Sequence, residues 1–202
     1  MKMLKLRELT MEHHKNAERS NFAKKLVSGK IQALEYYTYL YNMGFLYGTL
    51  ENIAMSLGVL DDIDGIRRTD NIWKDYHEMR RYFAMDRFLA PDILDSVKEY
   101  GNYLYSIKHN GHKILAHIYV RHMGDLSGGQ IIAKRLDERF PVNFYKFMVE
   151  KEYLKEKLRE KLNNDMADES MLAFDHAHKI FLELDRLTNG NSKSKENSET
   201  SE

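Results

Sequence analysis

From Leu4 to Leu187 the apolar residues recur at intervals of three and four, the spacing of a helix face. Leu4, Leu6 and Leu9 open the pattern, and Phe22, Leu26 and Val27 continue it. Leu34, Tyr37, Tyr41, Phe45 and Leu50 form a second run, and Ile114, Leu115, Ile118 and Met123 a third. Leu154, Leu158 and Leu162, then Leu172, Phe174, Ile180, Phe181, Leu184 and Leu187, close the chain. Sustained period-2 alternation is missing and β-branched residues are sparse, so the fold class is all-α. The 202 residues suffice for a single domain that hides roughly 70% of its unfolded surface.

Helix breaks are expected at Ser28-Gly29, Gly58 to Gly65, Met85 to Pro91, His109 to Gly111, Phe140-Pro141 and Asn163 to Asp168. They imply seven or eight helices. Pro91 and Pro141, the two prolines, stand where helices can begin, and Asp92 favours a helix start through the dipole. From Asn189 the sequence NGNSKSKENSETSE has no apolar residue. The domain is therefore expected over residues 1–188, with a disordered polar tail over 189–202.

Composition removes several function classes. Lys+Arg and Asp+Glu both number 31, for a formal net charge of zero, which argues against a nucleic-acid partner. Cysteine is absent, which excludes disulfides, thiolate nucleophiles, Fe–S clusters and Cys-ligated zinc. A transition metal would fall to His, carboxylates or Tyr. The opening MKMLKLRELTMEHHKNAE lacks the apolar stretch of a signal peptide. The longest uncharged segment, Tyr36 to Leu50, contains Thr38 and Asn42 and is shorter than the ~20 apolar residues of a membrane helix. It reads as a buried core helix. The expectation is a soluble, cytoplasmic monomer (the host cytoplasm if the source is viral), with a plastid disfavoured by the lack of a visible transit peptide.

The sharpest local feature is Gly124-Asp125-Leu126-Ser127-Gly128-Gly129-Gln130. It falls between HKILAHIYVRHM and IIAKRLDERF, both strongly helical. Each glycine in a helix interior costs about 1 kcal/mol relative to Ala. Such a cost is tolerated where a helix bends or where its backbone must lie close to something. Gly124 and Gly128 share a face, so a flat ligand can rest there against main-chain atoms, with Asp125 and Ser127 as the nearby polar groups. A loop between two helices, or close helix packing through small residues, are the plainer readings. A phosphate loop is disfavoured, since no Lys-Ser/Thr follows and no strand precedes.

His14 and Glu18 lie at i and i+4 on the first helical segment. A metal-binding imidazole commonly gives its second N–H to an oxygen acceptor, and Glu18 is placed to accept it. A solvated surface pair is the bland alternative. His13 points about 100° away. No Glu-x-x-His pair or His-Glu-x-x-His motif is present. The pairs His109/His112 and His117/His122 are loosely spaced, and solvent-facing or capping roles are expected for them. Arg7 lies two turns before His14. Lys155, Lys157, Arg159 and Lys161 are interleaved with Glu150, Glu152, Glu156 and Glu160. Most of these charges read as i,i+4 pairs on a solvated helix, while a subset can clamp a dianion at a cleft mouth.

Together these pieces resemble heme oxygenase. His14-Lys15-Asn16-Ala17-Glu18 resembles the family's proximal histidine helix, the run Gly124 to Gln130 matches the core of its signature, and Ala173-Phe174 through Leu184 resembles its last helix. The likeness runs from about residue 4 to 188. It implies a single-domain helical bundle that holds heme between a proximal helix and a glycine-kinked distal helix. By position, His14 would be the axial ligand to the metal of heme b, with Glu18 behind it. Gly124 and Gly128 would lie over the porphyrin. Asp125, Tyr47 and Arg121 would belong to a distal proton network on the oxygen side. Arg7, Tyr119, Lys155 and Arg159 would meet the propionates and set which meso carbon is attacked. The implied reaction converts heme and O2 to biliverdin (the IXα isomer expected), CO and ferrous iron.

Electrons would come from outside, since no flavin or Fe–S site is expected in this chain. An acidic donor such as ferredoxin is implied, with a bilin reductase downstream. The first thirty residues are locally basic, with Lys2, Lys5, Arg7, Lys15, Arg19, Lys24, Lys25 and Lys30 against Glu8, Glu12 and Glu18, and would dock it with the Lys155–Lys161 helix. The sequence departs from the family pattern in Tyr119-Val120-Arg121-His122-Met123-Gly124, where the family carries Tyr-Thr-Arg-Tyr-Leu-Gly. His122 and Met123 would then alter packing or offer a stray ligand. A non-catalytic heme carrier or sensor is one rival, and a same-fold protein with other chemistry a second.

Overall fold

The computed structural model describes the backbone of residues 5–84 and 90–199, and their side chains except at 64 and beyond 187. Lys2, Leu4 and the 85–89 part of the expected break at Met85 to Pro91 lie outside these residues. Among the described residues the structure is helical and without strands. The α-helices are α1 (Leu6–Leu9), α2 (Met11–Glu18), α3 (Asn21–Ser28), α4 (Ala33–Ser56), α5 (Thr69–Tyr82), α6 (Asp95–Ser106), α7 (Gly111–Arg135), α8 (Lys151–Glu160) and α9 (Ala167–Glu199).

The count exceeds the expected seven or eight because the N-terminal run is cut twice. Thr10 separates α1 from α2, and Ser20 caps α3 by accepting the Ala23 N–H at 3.1 Å. The other breaks fall where turn residues predict them. Gly29 ends α3 in the left-handed conformation, φ 73°, and a Cβ there would collide with the Arg135 carbonyl at the end of α7. Asn110 caps α7 through Lys113 N–H. Pro91 and Pro141 are not at helix starts: α6 begins at Asp95, where Glu183 accepts the N–H groups of Asp95 and Ser96, and Pro141 precedes a short 3-10 turn, Asn143–Tyr145. The backbone of α9 runs to Glu199, through the stretch where the sequence predicts disorder.

The uncharged segment lies in α4, the centre of the core. Tyr36, Leu40, Met43, Tyr47 and Leu50 are buried there, and α4 packs on α5, α6 and α7. α9 closes the other side against α2, α3, α6 and α7. No described helix is long and apolar enough to cross a membrane. This layering leaves α2 and the middle of α7 facing each other across a gap.

Candidate functional site

A cavity of about 500 Å³ occupies that gap. His14 and Glu18 of α2, Phe174 of α9 and Gly124, Asp125 and Gly128 of α7 line it, with Tyr47 of α4 at the back. Residues 110 apart in sequence thus meet because α9 holds α2 against the bundle. A more open groove over α4 and α5, lined by Phe45, Trp73 and Tyr105, contains none of the predicted site residues.

His14 is held edge-on to Phe174, ring centroids 5.3 Å apart. Its Nδ1 is enclosed and 3.6 Å from Glu18 Oε2, although the side chain is 44% exposed. The exposed edge is therefore the other one, on the cavity side. His13, the neighbouring competitor, is turned away: its Nδ1 pairs with Asp175 Oδ1 at 2.6 Å, tying α2 to α9.

α7 runs unbroken through the glycine signature, so the loop alternative is overturned. The glycines divide into two roles. A Cβ built on Gly124 or Gly128 meets nothing within 4 Å, while one on Gly129 would stand 2.6 Å from Tyr145 Cδ1. Gly124 and Gly128 leave bare backbone toward the cavity; Gly129 lets an aromatic ring pack on the helix. Gln130 fixes that packing, its amide donating to the Tyr145 and Asp125 carbonyls at 2.8 and 3.1 Å and its carbonyl accepting from Lys151.

The polar back wall is built on Asp125. Tyr47 donates its hydroxyl to Asp125 Oδ2 at 2.7 Å in a buried contact. Burial pushes the Asp125 carboxyl above its ordinary range, while His122, the Tyr47 hydroxyl, Arg121 and Arg68 pull it down. Burial and the Asp125 charge hold the Tyr47 phenol protonated, well above its usual range. Arg121 is buried beside them, its guanidinium 5.3 Å from the Tyr47 ring centroid and donating to Met43 Sδ at 2.9 Å.

One end of the cavity is basic. Arg7 and Arg159 line it with Tyr119. Burial raises the Tyr119 phenol, and Thr10, Arg7 and Arg159 draw it back, which places these groups together. Neither arginine has an ion-pair partner within 4 Å among the described residues. Lys155 is the exception to the predicted set: it does not line the cavity, and its ammonium is held by Glu152 at 2.7 Å. One turn on a helix of 100° steps separates the cation that reaches the cleft from the one that folds back on its own helix.

Two further expectations change. His117 and His122 are buried rather than exposed. His117 Nε2 meets Glu169 at 3.0 Å, and His122 Nε2 meets Glu51 at 2.9 Å, so His122 is not a stray ligand. His112 is exposed, as expected, and its Nε2 meets the Asn163 side chain. Site residues missed by sequence reasoning include Phe174, Phe181 and Ala177, whose spacing of three and four on α9 was a usable signal, and Tyr39 and Tyr145, which carried none.

A family model described as heme oxygenase matches residues 3–186. The heme oxygenase of Pyropia yezoensis is 31% identical over 134 residues, 64% of this chain and 56% of that protein. That of Guillardia theta is 26% identical over 208 residues, covering 90% of this chain and 85% of its own. The match thus spans little more than half of the Pyropia protein. Among solved structures, heme oxygenase-1 of the cyanobacterium Synechocystis sp., in complex with heme, superposes with a TM-score of 0.79 over 96% of this chain and 97% of that one. At 23% identity that likeness shows the fold. Heme oxygenase of Leptospira interrogans follows at 0.75 and 26% identity, over 88% and 96%. The match to the family model spans nearly the whole described bundle, and the chain belongs to the heme oxygenase family.

Proposed function

We propose that this protein cleaves heme b oxidatively to biliverdin IXα, CO and ferrous iron, with heme as both substrate and cofactor. The observation that carries the reading is the apposition, across one cleft, of His14 with the bare backbone at Gly124 and Gly128. A side chain at either glycine would fill space that a flat macrocycle needs. The residues present fit heme on both faces and at the edge. Bound heme would supply the metal at which dioxygen is activated and the porphyrin carbon that is oxidised.

The chain's own residues do the rest. His14 would hold the metal as a neutral imidazole, with Glu18 orienting its Nδ1 side. Gly124 and Gly128 would bring α7 against the macrocycle and confine the oxygen side to one edge. Arg7, Arg159 and Tyr119 would pair with the two propionates and fix the macrocycle's rotation about His14. Asp125 would hold ordered water near the oxygen side, with the Tyr47 hydroxyl proton donated to it. Among the described residues no histidine besides His14 lines this cleft, so no imidazole acid–base group stands opposite it. A carrier would have no use for a buried carboxylate hydrogen-bonded to a phenol at that wall.

Electrons would come from an acidic donor such as ferredoxin. Lys5, Arg7, Lys15, Arg19, Lys24 and Lys30 are exposed on the α1–α3 side, which supports docking there. The α8 side supports it less, since Lys157 and Lys161 are paired with Glu160 and Asp62. Residues 1–188 form the catalytic unit of this proposal, acting as a cytoplasmic monomer, with a bilin reductase to consume the product. The test is optical: hemin is added to the purified chain, then reductant or reduced ferredoxin in air. A Soret band that forms at one equivalent and decays to the broad red band of biliverdin is expected. A Soret band that persists with both reductants would leave the carrier reading.

A further inference from the structure

We infer that His122 is held as an imidazolium, buried behind the cleft, and that it acts as the positioning residue that keeps Asp125 ionised. A neutral imidazole has one N–H and one bare nitrogen, so it needs one acceptor and one donor around it. His122 has two acceptors. Its Nε2 is 2.9 Å from Glu51 Oε1, and its Nδ1 is 3.2 Å from the Ile118 carbonyl. A carbonyl cannot donate, so Nδ1 must carry a proton.

The second proton could in principle belong to Glu51, but the contacts of Glu51 place it on the ring. Oε1 also accepts the Arg68 N–H at 2.6 Å, and Oε2 accepts the Thr69 N–H at 3.1 Å and the Thr69 hydroxyl at 2.6 Å. Three donors besides the histidine converge on its two oxygens, an environment that stabilises the carboxylate over a carboxylic O–H aimed at Nε2. Glu51 is held below its ordinary range by His122, Thr69 and Arg68, against the opposing effect of burial. The pair is therefore imidazolium and carboxylate, both fully enclosed.

The same helix contains the contrasting case. His117 is equally buried, but its Nε2 faces Glu169 at 3.0 Å and its Nδ1 faces the Tyr100 hydroxyl at 2.7 Å. A hydroxyl can donate, so His117 is satisfied as a neutral ring, and burial lowers its pKa accordingly. One buried histidine of α7 is neutral and the other is charged, by the nature of their second partners.

The charge matters because of where α7 puts it. His122 and Asp125 are three apart and so lie on one face. The Tyr47 ring packs on both, 5.2 Å from the His122 ring and hydrogen-bonded to Asp125. The other groups facing this space are Glu51 on α4, Arg68 before α5 and Arg121 on α7. Burial alone would favour a neutral Asp125; a fixed cation one turn away opposes that. A phenol at this position, as in the family pattern, supplies no such charge.

The consequence for turnover rests on the proposed oxygenase activity, but the charge can be read on the full chain without hemin. The experiment is 15N and 13C NMR of histidine- and aspartate-labelled protein across pH. Above neutral pH His122 is expected to show two protonated ring nitrogens, while His117 shows a single neutral tautomer. His122→Gln should raise the Asp125 carboxyl midpoint by at least one unit, a tenfold change in its proton affinity. Glu51→Gln, with its own fold checked, should leave His122 with one protonated ring nitrogen above neutral pH. His122→Tyr is the second replacement, should Gln not fold. A neutral His122 tautomer above neutral pH, or an Asp125 midpoint unmoved in both replacements, overturns the inference. Neither result depends on whether biliverdin forms.

Discussion

Tyr145 lies flat enough on α7 that a methyl group on Gly129 would stand 2.6 Å from its Cδ1. The ring is buried and cannot swing away, since Phe144 stacks on it at 4.5 Å between centroids. Two adjacent glycines, 128 and 129, therefore answer to different neighbours: one to a cavity, the other to the core.

That difference predicts opposite stability effects. Gly129→Ala overpacks the core and should lower stability by about 1–3 kcal/mol. Gly128→Ala gains helix propensity with no clash and should raise it by up to about 1 kcal/mol, while weakening hemin binding. Urea denaturation of the hemin-free variants, followed by hemin titration, checks both. Equal destabilisation of the two would contradict the division.

His14→Ala should remove the spectrum of a histidine-ligated heme and leave a weak complex. The cavity left by the ring lies beside Phe174 and Glu18, so free imidazole added to the variant should restore the spectrum. A variant with an unchanged Soret band would exclude His14 as the ligand, and His13 would remain held by Asp175 in either case.

Asp125→Ala is expected to retain hemin, since the proposed ligand and propionate residues are untouched, but to lose biliverdin formation. Tyr47→Phe deletes the 2.7 Å donor. A hydrogen bond to a charged group is worth about 1.5–3 kcal/mol, so its loss should destabilise the fold by that order and reduce product yield less than the Asp125 change. Single-turnover product analysis separates them. A wild-type yield from Asp125→Ala would contradict the assigned role.

How much of this could be read from the chain depends on which interactions are local. Gly29, Asn110 and the Phe140-Pro141 turn mark their breaks because cap and turn chemistry needs few neighbours. The break at Ser20 was hidden, because Phe22 and Leu26 continue the apolar spacing across it. His14, Glu18 and the glycine run were legible as a motif. The exclusion of Lys155 was not, because Lys155 and Arg159 look alike in sequence and differ in whether a carboxylate is within reach. The burial of His117 and His122 was also invisible. Their partners Glu169 and Glu51 are 52 and 71 residues away, and only the packing of α9 and α4 on α7 brings them in.

Acid should lower the protein's stability over two pH ranges that the His117 site sets. Burial lowers the folded His117 below its unfolded value of about 6.5. The unfolded chain therefore binds that proton first, and stability declines as pH falls below that value. Glu169 adds a second step. Against the opposing effect of burial, hydrogen bonds from His117, Tyr103 and Lys113 hold its carboxyl at about 2, from an ordinary 4.5. The stabilisation is fully present above the unfolded value and is lost as pH drops from there toward about 2. Glu169→Gln should abolish this lower step, costing stability near neutral pH and flattening the profile in acid. Melting curves of both proteins between neutral pH and strong acid test it, and parallel profiles would show that the Glu169 carboxylate does not contribute this stability.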